Sequence, residues 1–165
     1  EYVRNQSVNG VLTRLLGEEP STALWVAVAA PLAAAVLLLA AAVWRRGDRD
    51  VAVLLAAGSM LLASPISWDH HWVWTAPAVL VLARRGHPVL AGAWALLLVV
   101  GCRFLAPAGE GRELSWTWWQ HLLGNGYVWA LVATVLAVAV QLRAGSTRPA
   151  TSPSVSRPLA TEGAE

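Results

Sequence analysis

The sequence predicts an all-α membrane protein: a polytopic transmembrane helical bundle of about five spans, with further helices lying on the membrane surface. Three observations predict it. Of 165 residues, 56% are hydrophobic and only 13% are charged, where a soluble domain carries about a quarter charged residues. Residues Ala23 to Trp44 run for 22 positions without a charge, enough to cross the ~30 Å hydrocarbon core of a bilayer. Four more apolar stretches follow, each bounded by arginines, prolines or glycines. The twelve positive charges are all arginine and the net charge is +2, too small to argue for a nucleic-acid partner. A single cysteine, Cys102, excludes an internal disulfide and a cysteine-based zinc site. Its apolar surroundings make it a small buried hydrophobe.

The chain begins with a short amphipathic segment. Val8, Val11, Leu12, Leu15 and Leu16 recur at helical spacing, with Gln6, Asn9 and Thr13 opposite. Asn5 or Ser7 can cap its start and Gly17 can end it. The first span starts after Pro20-Ser21 and stops at Arg45-Arg46. The second stretch, Val51 to Trp68, is apolar only as far as Ala63, where Ser64-Pro65-Ile66-Ser67 breaks it. As a helix, Val51 to Ala63 reaches only about 20 Å. The third, Trp72 to Ala83, is equally short and contains Pro77. The turn between them therefore dips below the membrane surface, which irregular backbone does only where protein or a wet cavity surrounds it. The fourth span runs from Val89 to Cys102 and the fifth from Tyr127 to Leu142. Between them, Ser115 to Leu123 carries Trp116, Trp118 and Trp119, a headgroup-level signature.

Arginine placement sets an orientation. Arg45, Arg46, Arg49, Arg84, Arg85, Arg143, Arg148 and Arg157 fall on one side of this alternation, and Arg4, Arg14, Arg103 and Arg112 on the other. The positive-inside rule puts the first set in the cytoplasm. A multi-pass plasma-membrane protein follows, with residue 1, the Ser64–His71 turn and the 103–126 loop extracytoplasmic and the C-terminus cytoplasmic. Residues 1–143 form the membrane domain. Residues 144–165, rich in serine, threonine, proline and alanine, cannot bury enough apolar surface to order themselves and read as a disordered cytoplasmic tail. The start at Glu1-Tyr2-Val3-Arg4, without methionine or a signal peptide, reads as the C-terminal part of a longer protein.

Three polar clusters could carry chemistry. The densest is Ser67-Trp68-Asp69-His70-His71-Trp72. Ionisable groups at this depth are expensive and point to function. Histidine can donate to a phosphate or hydroxyl and carry a proton near neutral pH. Alternatively, Asp69 caps a helix beginning near Trp72 and the histidines are ordinary loop residues. A metal site is not expected, because adjacent histidines point apart and His87 lies across the membrane; no cofactor is expected either. The second cluster, Arg4-Asn5-Gln6-Ser7-Val8-Asn9-Gly10, offers amides and a hydroxyl for sugar hydroxyls and a guanidinium for phosphate, or is a capped amphipathic helix. Arg14 can snorkel or pair with Glu18, one turn away. The third cluster, around Arg112-Glu113 and Trp116–His121, can pack against sugars or anchor a helix in headgroups.

The pattern Asn5-Gln6-Ser7-Val8-Asn9-Gly10 followed by Arg14 resembles one signature of glycosyltransferase family 87. Ser64-Pro65-Ile66-Ser67-Trp68-Asp69-His70-His71-Trp72-Val73-Trp74 resembles its second, over eleven consecutive residues. The resemblance covers the first half of the chain and implies a GT-C fold. It implies transfer of mannose from a polyprenyl-phosphate donor to a glycolipid or lipoglycan acceptor at the extracytoplasmic face of an actinobacterial membrane. It implies substrate contacts at Asn5, Gln6, Ser7, His70 and His71, to which the chemistry of the two polar clusters adds Arg4, Asn9 and Asp69 as candidates. The family's candidate base is an acidic residue in the first outer loop, upstream of this chain, so Asp69 is not that base and the chain alone is expected to be inactive. The competing reading is a non-enzymatic membrane module or half of a transporter. A transporter would gather its polar groups near the bilayer midplane, whereas these gather at one edge.

Overall fold

The computed structural model describes residues 2–146, and among them every regular element is helical. The helices are α1 (Val8–Leu16), α2 (Thr22–Arg45), α3 (Arg49–Ala63), α4 (Thr75–Arg84), α5 (Pro88–Val100), α6 (Trp118–Gly124) and α7 (Gly126–Ser146). Short 3-10 turns occupy Tyr2–Arg4, Asp69–Trp74, Cys102–Phe104 and Arg112–Ser115. One isolated antiparallel bridge, Asn5 with Trp68, is the sole extended pairing among the described residues. The tail expected beyond residue 143 lies outside the described residues, apart from the last turn of α7.

The long apolar run became α2, 24 residues with Ser21 Oγ accepting the Leu24 N–H at 3.3 Å as its cap. Two helices, α2 and Gly126–Ala144 of α7, are long and apolar enough to cross a membrane. The other three expected spans are helices of 15, 10 and 13 residues. These reach about 22, 15 and 20 Å at 1.5 Å per residue, because Ser64-Pro65 and Gly101 stop them early. The exposed faces fit a lipid environment. Leu24, Val26, Leu32, Leu37 and Leu38 on α2, and Leu136 and Val140 on α7, all lie open. Faces this apolar and open are ones that lipid or further helices cover.

Small residues set how closely the helices pack. On α2 the buried stripe is Ala29, Ala33, Val36, Ala40 and Val43. It faces α3, where Ser59 Oγ donates to the Ala33 carbonyl at 2.9 Å. Close approach over small residues, with a hydroxyl bonded across, is how apolar helices associate where water supplies no drive. A side chain at Gly58 would meet Leu131 of α7 at 2.8 Å, so that glycine lets α7 against α3. One turn earlier on α7, Tyr127 stacks with Trp72 and Trp94, with centroids 5.1 to 6.4 Å apart. Tyr127 donates to the Leu97 carbonyl at 2.8 Å and Trp94 to Thr134 Oγ1 at 3.0 Å.

The two ends of the bundle differ. At one, Arg85 pairs with both oxygens of Asp48, and Arg46 Nη1 donates to the Leu142 carbonyl at 2.7 Å. Gln141 Nε2 lies 2.6 Å from His87 Nε2 there. At the other end, α1, the Ser64–Trp74 turn and the 101–125 segment come together. That second end carries the polar clusters.

Candidate functional site: a two-motif junction at one end of the bundle

Helix α1 begins as its sequence dictates. Ser7 is extended, and its Oγ accepts the Gly10 N–H at 3.2 Å. Gly17 ends the helix in the left-handed region at φ 76°, where a glycine pays no Cβ penalty. The burial of α1 departs from the expected amphipathic pattern. Leu15 and Leu16 are exposed, while Gln6, Thr13 and Arg14 are buried. Gln6 and Arg14 face inward because polar groups of other segments are there to bond them, which offsets part of the cost of burial.

The first partner is the Ser64–Trp68 turn. Asn5 Oδ1 accepts the Ser67 N–H at 3.0 Å and the Ser7 hydroxyl at 2.8 Å. Asn5 Nδ2 donates to the Pro65 carbonyl at 2.9 Å, and Asn9 Nδ2 reaches the same carbonyl at 3.2 Å. The Gln6 N–H donates to the Ser67 carbonyl at 2.7 Å. Ser67 Oγ turns inward to the Leu61 carbonyl at 2.7 Å. The two sequence motifs, some sixty residues apart, are thus one structural unit.

The second partner is the 101–125 segment. Gln6 Nε2 donates to the carbonyls of Val3 and Gly124, both at 2.7 Å. Arg14 Nε donates to Asn125 Oδ1 at 2.8 Å and its Nη1 to the Asn5 carbonyl at 2.9 Å. Its guanidinium lies over the Trp116 ring at 5.6 Å, a cation–π contact. Arg14 is not paired with exposed Glu18, nor does it reach toward water; 1% of it is exposed. Burial lowers its pKa to about 10, against favourable Coulombic contributions that include the buried Glu113 carboxylate. Glu113 Oε2 in turn accepts the Gly109 N–H at 3.0 Å.

On this base stands the histidine cluster. Asp69 to Trp74 is a 3-10 turn and α4 starts only at Thr75. Neither start has a side-chain cap bond, so the capping role open to Asp69 is not taken. Asp69 Oδ1 sits 4.0 Å from His70 Nδ1. The two imidazoles stand edge to face at 4.4 Å, and the Trp68 ring lies parallel to His71 at 6.4 Å. Both histidines and Trp68 are exposed, while Trp72 is buried beneath them. Arg4 is half-buried at the end of the first 3-10 turn. Of the eight residues singled out in the sequence, Gln6 and Ser7 are wholly enclosed, Arg4, Asn5, Asn9 and Asp69 are half-buried, and His70 and His71 reach the surface. Below Trp72 lies a separate cavity of about 290 Å³ that runs toward Asp48 and Arg85 and includes none of these eight.

Sequence reasoning missed the buried partners. Asn125 was an unremarked residue between two glycines, and it is fully buried. Trp116 belongs to the network and not to the surface: it is buried, with Nε1 donating to the Pro107 carbonyl at 2.6 Å. Trp118 and Trp119 are the exposed members of that run. The helix there is α6, started by a reciprocal Thr117–Gln120 capping box. No cluster of three potential metal ligands occurs among the described residues.

An all-helical bundle with two helices long and apolar enough to cross a membrane, and a bonded polar junction at one end, defines a class: a helical membrane protein with a candidate site at its rim. Residues 1–65 match the model of glycosyltransferase family 87, and the chain belongs to that family. It is 35% identical to a polyprenol-phosphate-mannose-dependent alpha-(1-2)-phosphatidylinositol mannoside mannosyltransferase of Mycobacterium tuberculosis, over 87% of this chain and 35% of that protein. The protein of the same description from Mycolicibacterium smegmatis is also 35% identical, over 82% and 34%. A polyprenol-phosphate-mannose-dependent alpha-(1-2)-phosphatidylinositol pentamannoside mannosyltransferase of M. tuberculosis is 32% identical, over 88% and 36%. The chain spans about a third of the length of the curated relatives it matches. No solved structure matches it significantly.

Proposed function

We propose that this chain is part of a membrane mannosyltransferase. It transfers mannose from a polyprenyl-phosphate donor to a glycolipid of the phosphatidylinositol mannoside type, at the extracytoplasmic face. The observation that carries the reading is the junction itself. Asn5 bonds the α1 motif to the Ser64–Trp68 turn, and His70 and His71 stand exposed on the same turn. The relatives' described dependence on polyprenol-phosphate mannose supports the donor, and their phosphatidylinositol mannoside specificity supports the acceptor.

The chemistry is a displacement at the anomeric carbon. An acceptor hydroxyl oxygen forms the new C–O bond as the bond to the donor phosphate breaks, and the electron pair leaves with polyprenyl phosphate. Phosphate is already a good leaving group, so the site's task is to stabilise the charge that develops on it. Pre-arranged donors do this best where water is partly excluded. His70, His71 and Arg4 are assigned to the phosphate, with Asp69 and Asn9 at the rim for sugar hydroxyls. Asn5, Gln6 and Ser7 brace the site. The base that takes the hydroxyl proton is not assigned to any residue of this chain. The bundle carries about five spans in a GT-C arrangement, with the Arg46–Asp48–Arg85 end in the cytoplasm, as the arginine distribution supports.

The test is donor choice. Membranes containing the product of the complete open reading frame are given radiolabelled polyprenyl-phosphate mannose or GDP-mannose, with phosphatidylinositol mannosides as acceptor. Label entering glycolipid from the lipid donor alone supports the reading. Equal transfer from GDP-mannose, with lipid-phosphate recycling blocked, overturns it.

A further inference from the structure

We infer that Arg14 is a positioning residue, which sets the register of the Ser67–His71 turn by holding the Asn5 peptide. The inference rests on the reading above, that the histidines on this turn meet the donor phosphate. A buried guanidinium is costly to place, and this one is shut away from any substrate, with 1% exposed. What it does is bond two other segments in one planar fork. Nε reaches Asn125 Oδ1, at the junction of α6 and α7, and Nη1 reaches the Asn5 carbonyl.

Asn5 is the hub of the contact. Its carbonyl accepts from Arg14, while its side chain accepts the Ser67 N–H and donates to Pro65. Its backbone also bridges to Trp68, whose ring packs against both His70 and His71. The path from guanidinium to imidazoles is therefore Arg14, Asn5, then Ser67 and Trp68. The Asn5 carbonyl has little room to shift, since a Cβ at Gly10 would lie 2.0 Å from that oxygen. A lysine cannot reproduce the fork, because one ammonium centre lacks the separate, fixed donors that reach both oxygens. A residue that only fills space and balances Glu113 would tolerate lysine and would act independently of Asn5.

The experiment reads the turn directly and then the reaction, on the product of the complete open reading frame in nanodiscs. Spin labels go on Leu38→Cys, on the α2 surface, and on Ile66→Cys, in the turn; both positions are exposed. Cys102 is replaced by alanine. The parent should give one narrow distance distribution. Arg14→Lys and Asn5→Ala should each broaden it, and the double variant should broaden it no further. In the transfer assay, Arg14→Lys should lower kcat/KM for polyprenyl-phosphate mannose by about tenfold, and the double variant should match the worse single, as coupled residues do. An unchanged distribution in Arg14→Lys, or losses that multiply in the double, would overturn the inference. Failure of the parent to transfer mannose counts against the proposed function alone, because the distance measurement still decides the role of Arg14.

Discussion

Asn5 Oδ1 accepts the Ser67 N–H at 3.0 Å, across 62 positions of sequence. That one side chain joins a helix cap to a loop between two short apolar helices. It explains why two polar motifs that look unrelated along the chain act as one rim. It also locates the point at which the rim is most easily broken.

Asn5→Ala leaves the Ser67 N–H and the Ser7 hydroxyl without this acceptor. Losing a partner for a partly enclosed donor costs on the order of 1–3 kcal/mol. The apparent melting temperature in detergent should fall clearly. Asn5→Asp keeps the acceptor oxygen for Ser67 and Ser7 but turns a carboxylate oxygen toward the Pro65 carbonyl in place of the donor, so it should recover only part of the loss. Equal melting of Asn5→Ala and the parent would remove Asn5 from the account.

Two glycine-to-alanine changes should behave oppositely. At Gly10 the new Cβ would lie 2.0 Å from the Asn5 carbonyl oxygen, so the turn must move, at a cost of roughly 1–3 kcal/mol. At Gly92, on the exposed face of α5, nothing lies within 4 Å. There the better helix propensity of alanine should leave stability unchanged or raise it by up to about 1 kcal/mol. Thermal unfolding of the two variants side by side checks the contrast.

His121 carries a pH prediction. Burial, then repulsion from Arg14, holds its pKa below the usual value. The unfolded chain therefore binds the proton more readily than the folded one. Stability should fall as the pH drops through the ordinary histidine range near 6.5 toward the lower folded value. His121→Gln should lose less stability than the parent between pH 7.5 and pH 5.5 in a thermal-unfolding series. An identical pH slope would show that this imidazole is not held neutral by the fold.

The Asp48–Arg85 pair should matter little. It is well formed but has 40% of the arginine side chain and 27% of the aspartate exposed, and pairs open to solvent contribute about 0–1 kcal/mol. Asp48→Asn keeps the oxygen that caps α3 at Val51 while removing the charge. Its melting should stay within that small range of the parent.

The fold was legible where one physical rule dominated. The uncharged run from Ala23 to Trp44 and the Ser7 and Gly17 signals around α1 led directly to the helices observed. The Ser64-Pro65 break likewise fell where backbone chemistry requires one. Arg14 and Trp116 were misread because local sequence offers Glu18 and the membrane interface as partners. Their actual partners, Asn125, Asn5 and Pro107, are brought in by chain folding over long separations. Asp69 was read with a cap open to it, but the backbone after it turns as a 3-10 segment, so no α-helical N-terminus stands there to cap. The histidine pair was legible as a cluster, and its stacking against Trp68 required the turn's geometry.

The most direct test of the central claim is mannose transfer by the His70→Ala/His71→Ala double variant of the complete gene product. Radiolabelled polyprenyl-phosphate mannose is the donor, and membrane insertion is checked in parallel. Loss of a pair of charge-stabilising donors should lower transfer at least about tenfold, with insertion and melting unchanged because both side chains are exposed. Parent-level transfer by a correctly inserted double variant would contradict the placement of the site on this turn.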